Sequence, residues 1–304
     1  MILSRQNTHN RTWFSLIACV LPSACAVRSP AASFGNTPVG QTQSASVEER
    51  IDGDRPHVGT GTHLVAPGDV QFELGGQFNS FGSRKTYASP ILGRVGLTDS
   101  IEGRVEFDGL IGSRERQRSV SSIGNVQLGA KVRVWGARDE PWLSIMPSVT
   151  LGLASSEKGL GSGDTDLSMT LMAGRAIGNR WHAEANYGVA AVGGGDERRH
   201  FGQHLMTGAA IYSLTSQLAG YGEVAFWSRQ EIDGRAVTFT DFGLIYGVNP
   251  RLVLDAGGAV GLSAAAPTYL LFAGLSFLIE PARSPHQLRK GTRLTQPHFA
   301  SGGR

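Results

Sequence analysis

From Ser100 onward the chain alternates strictly between apolar or small residues and charged ones. Ile101, Gly103, Val105 and Phe107 hold one parity, and Glu102, Arg104, Glu106 and Asp108 hold the other. Successive side chains of a β-strand point to opposite faces, so this strand has one greasy face and one carrying four charges. Such a strand leaves two options. A water-soluble sandwich buries the greasy face, whereas a membrane barrel turns it to lipid and lines its lumen with the charges.

The rest of the chain favours the barrel. Val70, Phe72, Leu74 and Phe78 oppose Gln71, Glu73 and Gln77. Val126, Leu128, Ala130, Val132 and Val134 oppose Gln127, Lys131 and Arg133, while Trp181, Ala183, Ala185, Tyr187 and Val189 oppose His182, Glu184 and Asn186. The pattern weakens in 217–229 and 236–248, where Glu223 and Asp241 still mark a polar side, and Asp255 marks one in 252–262. Short turns at 98–100, 137–140, 178–179, 215–216 and 249–250 recur about every 34 to 40 residues, the period of a repeated hairpin. Longer polar stretches fall between them, near 80–86, 111–123, 153–165, 193–202, 229–235 and 263–267. Short and long connections therefore alternate around about twelve segments of roughly 10 to 13 residues. Sandwich strands run shorter, and an open sheet edge cannot face hydrocarbon. Aromatic residues gather beside the short turns (Trp135, Trp142, Trp181, Tyr212 and Tyr246), where an interfacial girdle would sit. The expected fold is all-β, an antiparallel up-and-down transmembrane β-barrel of about twelve strands.

The ends carry different signals. Arg5, His9 and Arg11, the apolar run from Trp13 to Leu21, and Ala24-Cys25-Ala26 read as a secretory signal peptide over 1–26. A lipoprotein signal at Cys19 or Cys25 is the rival; the run before Cys19 is short for it, and Pro22 stands where Cys25 would need an aliphatic residue. Both cysteines lie in this segment, so the mature chain has no disulfide to staple it. Residues 27–66 read as a periplasmic linker or a plug in the lumen, with the linker slightly preferred; 67–279 as the barrel; and 280–304 as a disordered basic tail. The formal charge of +3 belongs to the ends: the signal carries two cations and the tail a net four, leaving the middle at about −3. Nucleic-acid binding is not expected from that distribution. The implied location is the bacterial outer membrane, with the lipid bilayer as the first partner. No run reaches transmembrane-helix length.

Several stretches, in order, resemble a family of bacterial outer-membrane transporter-like proteins named for a meta-pathway of phenol degradation. Asp54-Arg-Pro-His57 and Val65-Ala-Pro-Gly-Asp-Val-Gln-Phe-Glu73 are similar to its approach to the first strand. Gly96-Leu-Thr-Asp99, Gly161-Ser-Gly-Asp-Thr-Asp166 and Tyr246-Gly-Val-Asn-Pro-Arg-Leu252 resemble its turns and a loop; Leu254-Asp-Ala-Gly257 and Phe272-Ala-Gly-Leu-Ser-Phe277 resemble its closing strands. The resemblance spans about residues 51 to 279 and implies a barrel that passes small aromatic or apolar compounds. It supplies no catalytic residue. Two departures stand out. The family has an acidic residue where His57 stands, then Thr and Glu where Gly59 and Thr60 stand. Outer-membrane barrels also tend to end on an aromatic read by the barrel-assembly machinery, a further expected partner, whereas Phe277 here precedes a Pro-containing basic tail.

If the charges face inward, the wall carries Glu73, Arg94, Glu102, Arg104, Glu106, Asp108, Lys131, Arg133, His182, Glu184, Glu223, Asp241 and Asp255. These are the candidate lumen-lining and selectivity residues, and a small-molecule solute is the expected partner. The competing reading is a closed barrel filled by cross-strand ion pairs, with a structural or adhesive role. A membrane-bound lipid hydrolase is a lesser alternative. His182 shares a face with Glu184, but no Gly-x-Ser-x-Gly motif accompanies them, so no catalytic residue is assigned. The 161–166 stretch lacks both the terminal Glu of a calcium loop and the Gly-Lys-Ser/Thr of a phosphate loop. No metal and no cofactor are expected.

Overall fold

The computed structural model describes residues 51–138, 140–194 and 200–280. The expected signal peptide, residues 27–50 and the tail from 281 lie outside the described residues. Everything described below belongs to one compact unit, Glu48–Arg304.

Among the described residues there is no helix. Fifteen strand pieces run in chain order: β1 (Val70–Phe81), β2 (Arg84–Ala88), β3 (Ile91–Thr98), β4 (Ile101–Phe107), β5 (Leu110–Glu115), β6 (Arg118–Ile123), β7 (Val126–Gly136), β8 (Pro141–Leu151), β9 (Asp166–Ile177), β10 (Trp181–Gly193), β11 (His200–Ser213), β12 (Leu218–Trp227), β13 (Val237–Asn249), β14 (Leu252–Gly261) and β15 (Tyr269–Ile279). Each neighbouring pair is antiparallel, and β15 closes on β1 from Val70↔Ile279 to Ser80↔Tyr269. Three staves consist of two pieces each (β2 with β3, β4 with β5, β6 with β7), so the closed barrel has twelve staves.

The three breaks lie on adjacent staves. Pro90 cannot donate a ladder hydrogen bond and interrupts the first. Gly109 interrupts the second with φ of +70°, and a Cβ there would land on the Ser89 carbonyl. Beyond the third break, β6 pairs only with β5. Its other side meets the 152–165 loop, through Ser155 N to Ser122 Oγ at 3.3 Å and Lys158 Nζ to the Ser121 carbonyl at 2.8 Å. The sequence expectation of one long loop over 111–123 is therefore corrected to a hairpin. Arg114 to Arg118 offer no apolar face, and without one the alternation that announces a strand disappears.

The burial pattern is inside out relative to a soluble protein. On β4, Val105 is 52% exposed, while Glu102 has no exposed surface. Val224, Phe242, Leu244, Leu254 and Leu271 likewise face outward. A continuous apolar belt of this kind is an aggregation hazard in water and the solvated face in lipid. Trp135, Trp142, Trp181 and Tyr246 are exposed beside the short turns, and the Arg175 guanidinium lies 4.2 Å from the Trp142 ring centroid. Ring and cation together suit the headgroup level. Ile101 and Val105 therefore take the lipid face, and Glu102 and Arg104 the lumen.

Candidate functional site

Twelve of the thirteen expected lumen residues occupy the inward parity of their strands, and Asp108 follows in the break after β4. Glu73, Arg94, Glu102, Arg104, Lys131, Glu184, Glu223, Asp241 and Asp255 are buried; Glu106, Asp108, Arg133 and His182 are half-buried. The structure does not bring all of them together. Arg133 sits at the short-turn end, where its guanidinium donates to Ser100 Oγ and the Gly136 carbonyl. The remainder surround a chain segment rather than an empty channel.

That segment is residues 51–66. The preference for a trailing linker is corrected for these residues, which are bonded to the inner wall on all sides. Asp54 is the central anchor. Lys131 Nζ donates to both its carboxylate oxygens at 3.1 Å, the Arg104 guanidinium contacts it directly, and Arg94 Nη1 lies 3.7 Å away. Burial by itself would raise the Asp54 carboxyl, but Arg94, Lys131 and Arg104 hold it well below the usual carboxylate range. Glu73 accepts the backbone N–H groups of Asp54 and Arg55. Arg55 crosses to Asp255 at 3.2 Å. Its guanidinium fills a gap left by Gly75 and Gly274, which face each other across β1 and β15; a Cβ on Gly274 would stand 2.5 Å from Arg55 Nε.

Further along, Glu223 accepts the Val58 and Gly59 amides at 2.7 and 2.8 Å, and Asn186 accepts the Thr60 amide. Thr62 and Ser144 exchange bonds with backbone carbonyls, Thr62 Oγ1 to Pro141 and Ser144 Oγ to Thr62. Val65 N reaches Glu102 at 2.8 Å. The backbone passes so close to the wall that a Cβ on Gly59 would meet Glu223 Oε1 and Thr207 Oγ1 at 2.7 Å. Glycine at that position is thus a packing requirement.

His57 stands among acids. Its Nε2 lies 3.6 Å from Glu184, its Nδ1 is 2.8 Å from the Gly59 carbonyl, and Tyr221 meets the ring edge-on. Burial disfavours the charged ring, but Glu184 and Glu223 outweigh it and raise the pKa above the ordinary histidine value. The charged form therefore helps seat the plug at pH below that ordinary value, and its contribution is lost as pH rises through the raised one. Ion conductance of the reconstituted protein is expected to increase across that rise, with Glu184, Glu223, Asp54 and Asp241 as the acids felt by the ring. His57→Gln is expected to flatten the step. A wild-type profile that stays flat from the ordinary histidine range upward would contradict this role.

The plug side of these contacts has no periodic signature in the sequence. Asp54, Arg55 and His57 sat in the motif that carried the resemblance, yet nothing in a non-periodic stretch says which way it folds. Asn186 was legible as part of a polar face.

The charges divide unequally. Arg94, Arg104 and Lys131 are shared among Asp54, Glu73 and Glu102, and Arg55 answers Asp255. On the loop side of the plug lies a cavity of about 550 Å³. Leu92, Ile111, Leu160, Phe239, Leu270 and Phe272 give it apolar walls, and Glu106, Asp108 and Asp241 give it carboxylates. His182 Nε2 lies 3.1 Å from Glu184, but among the described residues no serine hydroxyl is hydrogen-bonded to a histidine ring.

The fold is that of known outer-membrane barrels. An outer membrane channel from Pseudomonas putida F1 superposes with a TM-score of 0.57 at 12% identity, covering 72% of this chain and 98% of that one. The NanC porin gives a TM-score of 0.48 at 11% identity, over 68% of this chain and 98% of its own. The KdgM porin crystallised with disordered oligogalacturonate gives 0.43 at 10%, over 69% and 98%. No match is found among curated protein sequences. With a closed barrel and this relationship established, the location is the bacterial outer membrane. The family described as "Putative MetA-pathway of phenol degradation" matches residues 53–279, from the plug through the last strand, and the chain belongs to it.

Proposed function

We propose that the barrel admits small apolar or aromatic molecules across the outer membrane, with the cavity above the plug as its receiving site and the plug as its closure. The observation that carries this reading is the cavity itself. Its volume of about 550 Å³ lies within the range of small-molecule sites, and its walls combine apolar side chains with a few polar groups. A barrel filled only for stability would pack that space with side chains. The plug is held by hydrogen bonds and ion pairs, which can exchange for water or for other partners. Family membership agrees in direction, as does the printed description of the Pseudomonas protein as a channel. Delivery to the membrane would use the barrel-assembly machinery, with β15 as the closing strand despite the tail behind Phe277.

The test is flux. Mature protein refolded into liposomes is expected to speed the entry of phenol-sized aromatic solutes over protein-free vesicles, and to give small ion currents in a planar bilayer. Absence of both, from protein shown to be closed by its heat-dependent gel mobility, would leave the structural or adhesive barrel as the better reading.

A further inference from the structure

We infer that the cavity above the plug is a site for an organic cation with an apolar body, an aryl- or alkylammonium, rather than for a neutral solute alone. This rests on the conduit reading above and names its preferred solute. The permanent cations of the upper lumen are all engaged: Arg94, Arg104 and Lys131 with Asp54, Glu73 and Glu102, and Arg55 with Asp255. Among the described residues, Glu106, Asp108 and Asp241 line this one cavity without an ion pair to any of them, although Arg55, Arg104 and His57 share its lining. Glu223, also without an ion pair, is occupied by the plug amides. Asp108 accepts only the Asn125 amide, at 3.0 Å, and Glu106 makes no hydrogen bond or ion pair among the described residues.

Asp241 is the more telling of the three. It is 2% exposed, yet its buried Oδ1 has no partner. Its cross-strand neighbour is Glu223, another carboxylate, whose two oxygens already accept the Val58 and Gly59 amides. Two acids placed opposite each other repel unless they share a proton through a hydrogen bond, as this pair does, and the second oxygen of Asp241 is left a buried acceptor without a donor. An ammonium group in this cavity would take the place of the proton that the pair shares, neutralising both carboxylates at once. Phe239, Leu270 and Phe272 line the same cavity and offer apolar and aromatic surface to the rest of such a molecule. A metal ion fits less well, because among the described residues no three metal-ligating side chains converge.

The experiment compares two probes of similar shape, phenethylamine and phenethyl alcohol, by calorimetric titration of the refolded mature protein in detergent at neutral pH. The amine is expected to bind at least about tenfold more tightly, the scale of a hydrogen bond to a charged group. Asp241→Asn and Glu106→Gln are each expected to shrink that ratio, whereas Glu157→Gln in an external loop is expected to leave it unchanged. Because the reading is a ratio of affinities within one variant, it does not depend on how much of that variant folds. Equal binding of the two probes would overturn the inference, as would an unaltered ratio in Asp241→Asn, the result if Asp241 merely shares a proton with Glu223. An equal loss in Glu157→Gln would also overturn it, by showing a general surface attraction. Liposome flux separates the two readings: neutral aromatic solutes passing without amine preference removes this inference alone. Amine binding with no flux of any solute removes the conduit and leaves the site.

Discussion

Replacing Asp54 by alanine is expected to unseat the plug and raise single-channel conductance several-fold, with the barrel intact. Asp54 is the one plug carboxylate that Arg94, Arg104 and Lys131 converge on, and it also accepts the Gly61 amide within the plug. Its removal leaves Lys131 with the carbonyls of Gly61 and His63 alone, in a site with no exposed surface. Breaking a buried pair from one side costs about 3–5 kcal/mol, because the remaining charge stays desolvated. A loss of that size shifts the seated-to-released ratio by about two to four orders of magnitude. The ladder hydrogen bonds do not pass through Asp54, so gel mobility before and after heating is expected to match the wild type. Adding Lys131→Met removes the orphaned cation, and the double variant is expected to recover part of the closure. Planar-bilayer recording of the three proteins checks this. Wild-type conductance in Asp54→Ala would mean that the plug is not the closure.

Val105→Arg is expected to impair assembly itself. Val105 points outward between Gly93 on β3 and Leu128 on β7, on the belt that meets lipid. A cation on the lipid face near the midplane costs about 2–4 kcal/mol, less if the residue lies nearer an interface. The yield of folded barrel in refolding titrations should fall accordingly. Glu106→Ala, one residue along but facing the lumen, is expected to fold normally and to change only solute selection. Matching folding yields for the two variants would place Val105 outside the hydrocarbon layer.

The sequence made the barrel legible for a physical reason. Lipid demands an apolar residue at every second position, and closure demands an even ladder of hairpins, so Ile101 to Phe107 and Val126 to Val134 could be assigned to faces without any tertiary knowledge. The same logic failed at 111–123, where β5 and β6 have no apolar face to betray them. It was weak along β12 and β13, although Glu223 and Asp241 still marked the inner side.

The plug obeyed no such rule. Residues 51–66 have no period, and the reasons for their position are distributed over the wall: Glu73 on β1, Arg94 on β3, Lys131 on β7, Glu223 on β12 and Asp255 on β14. Those residues are up to 200 positions distant from their plug partners. Alternation could therefore place each charge on the inner face but could not say which charges would be neutralised. That depended on which segment entered the lumen. Only the tertiary structure, by pairing Asp54 and Arg55 with the wall, decided that Glu106, Asp108 and Asp241 would be left facing an open cavity.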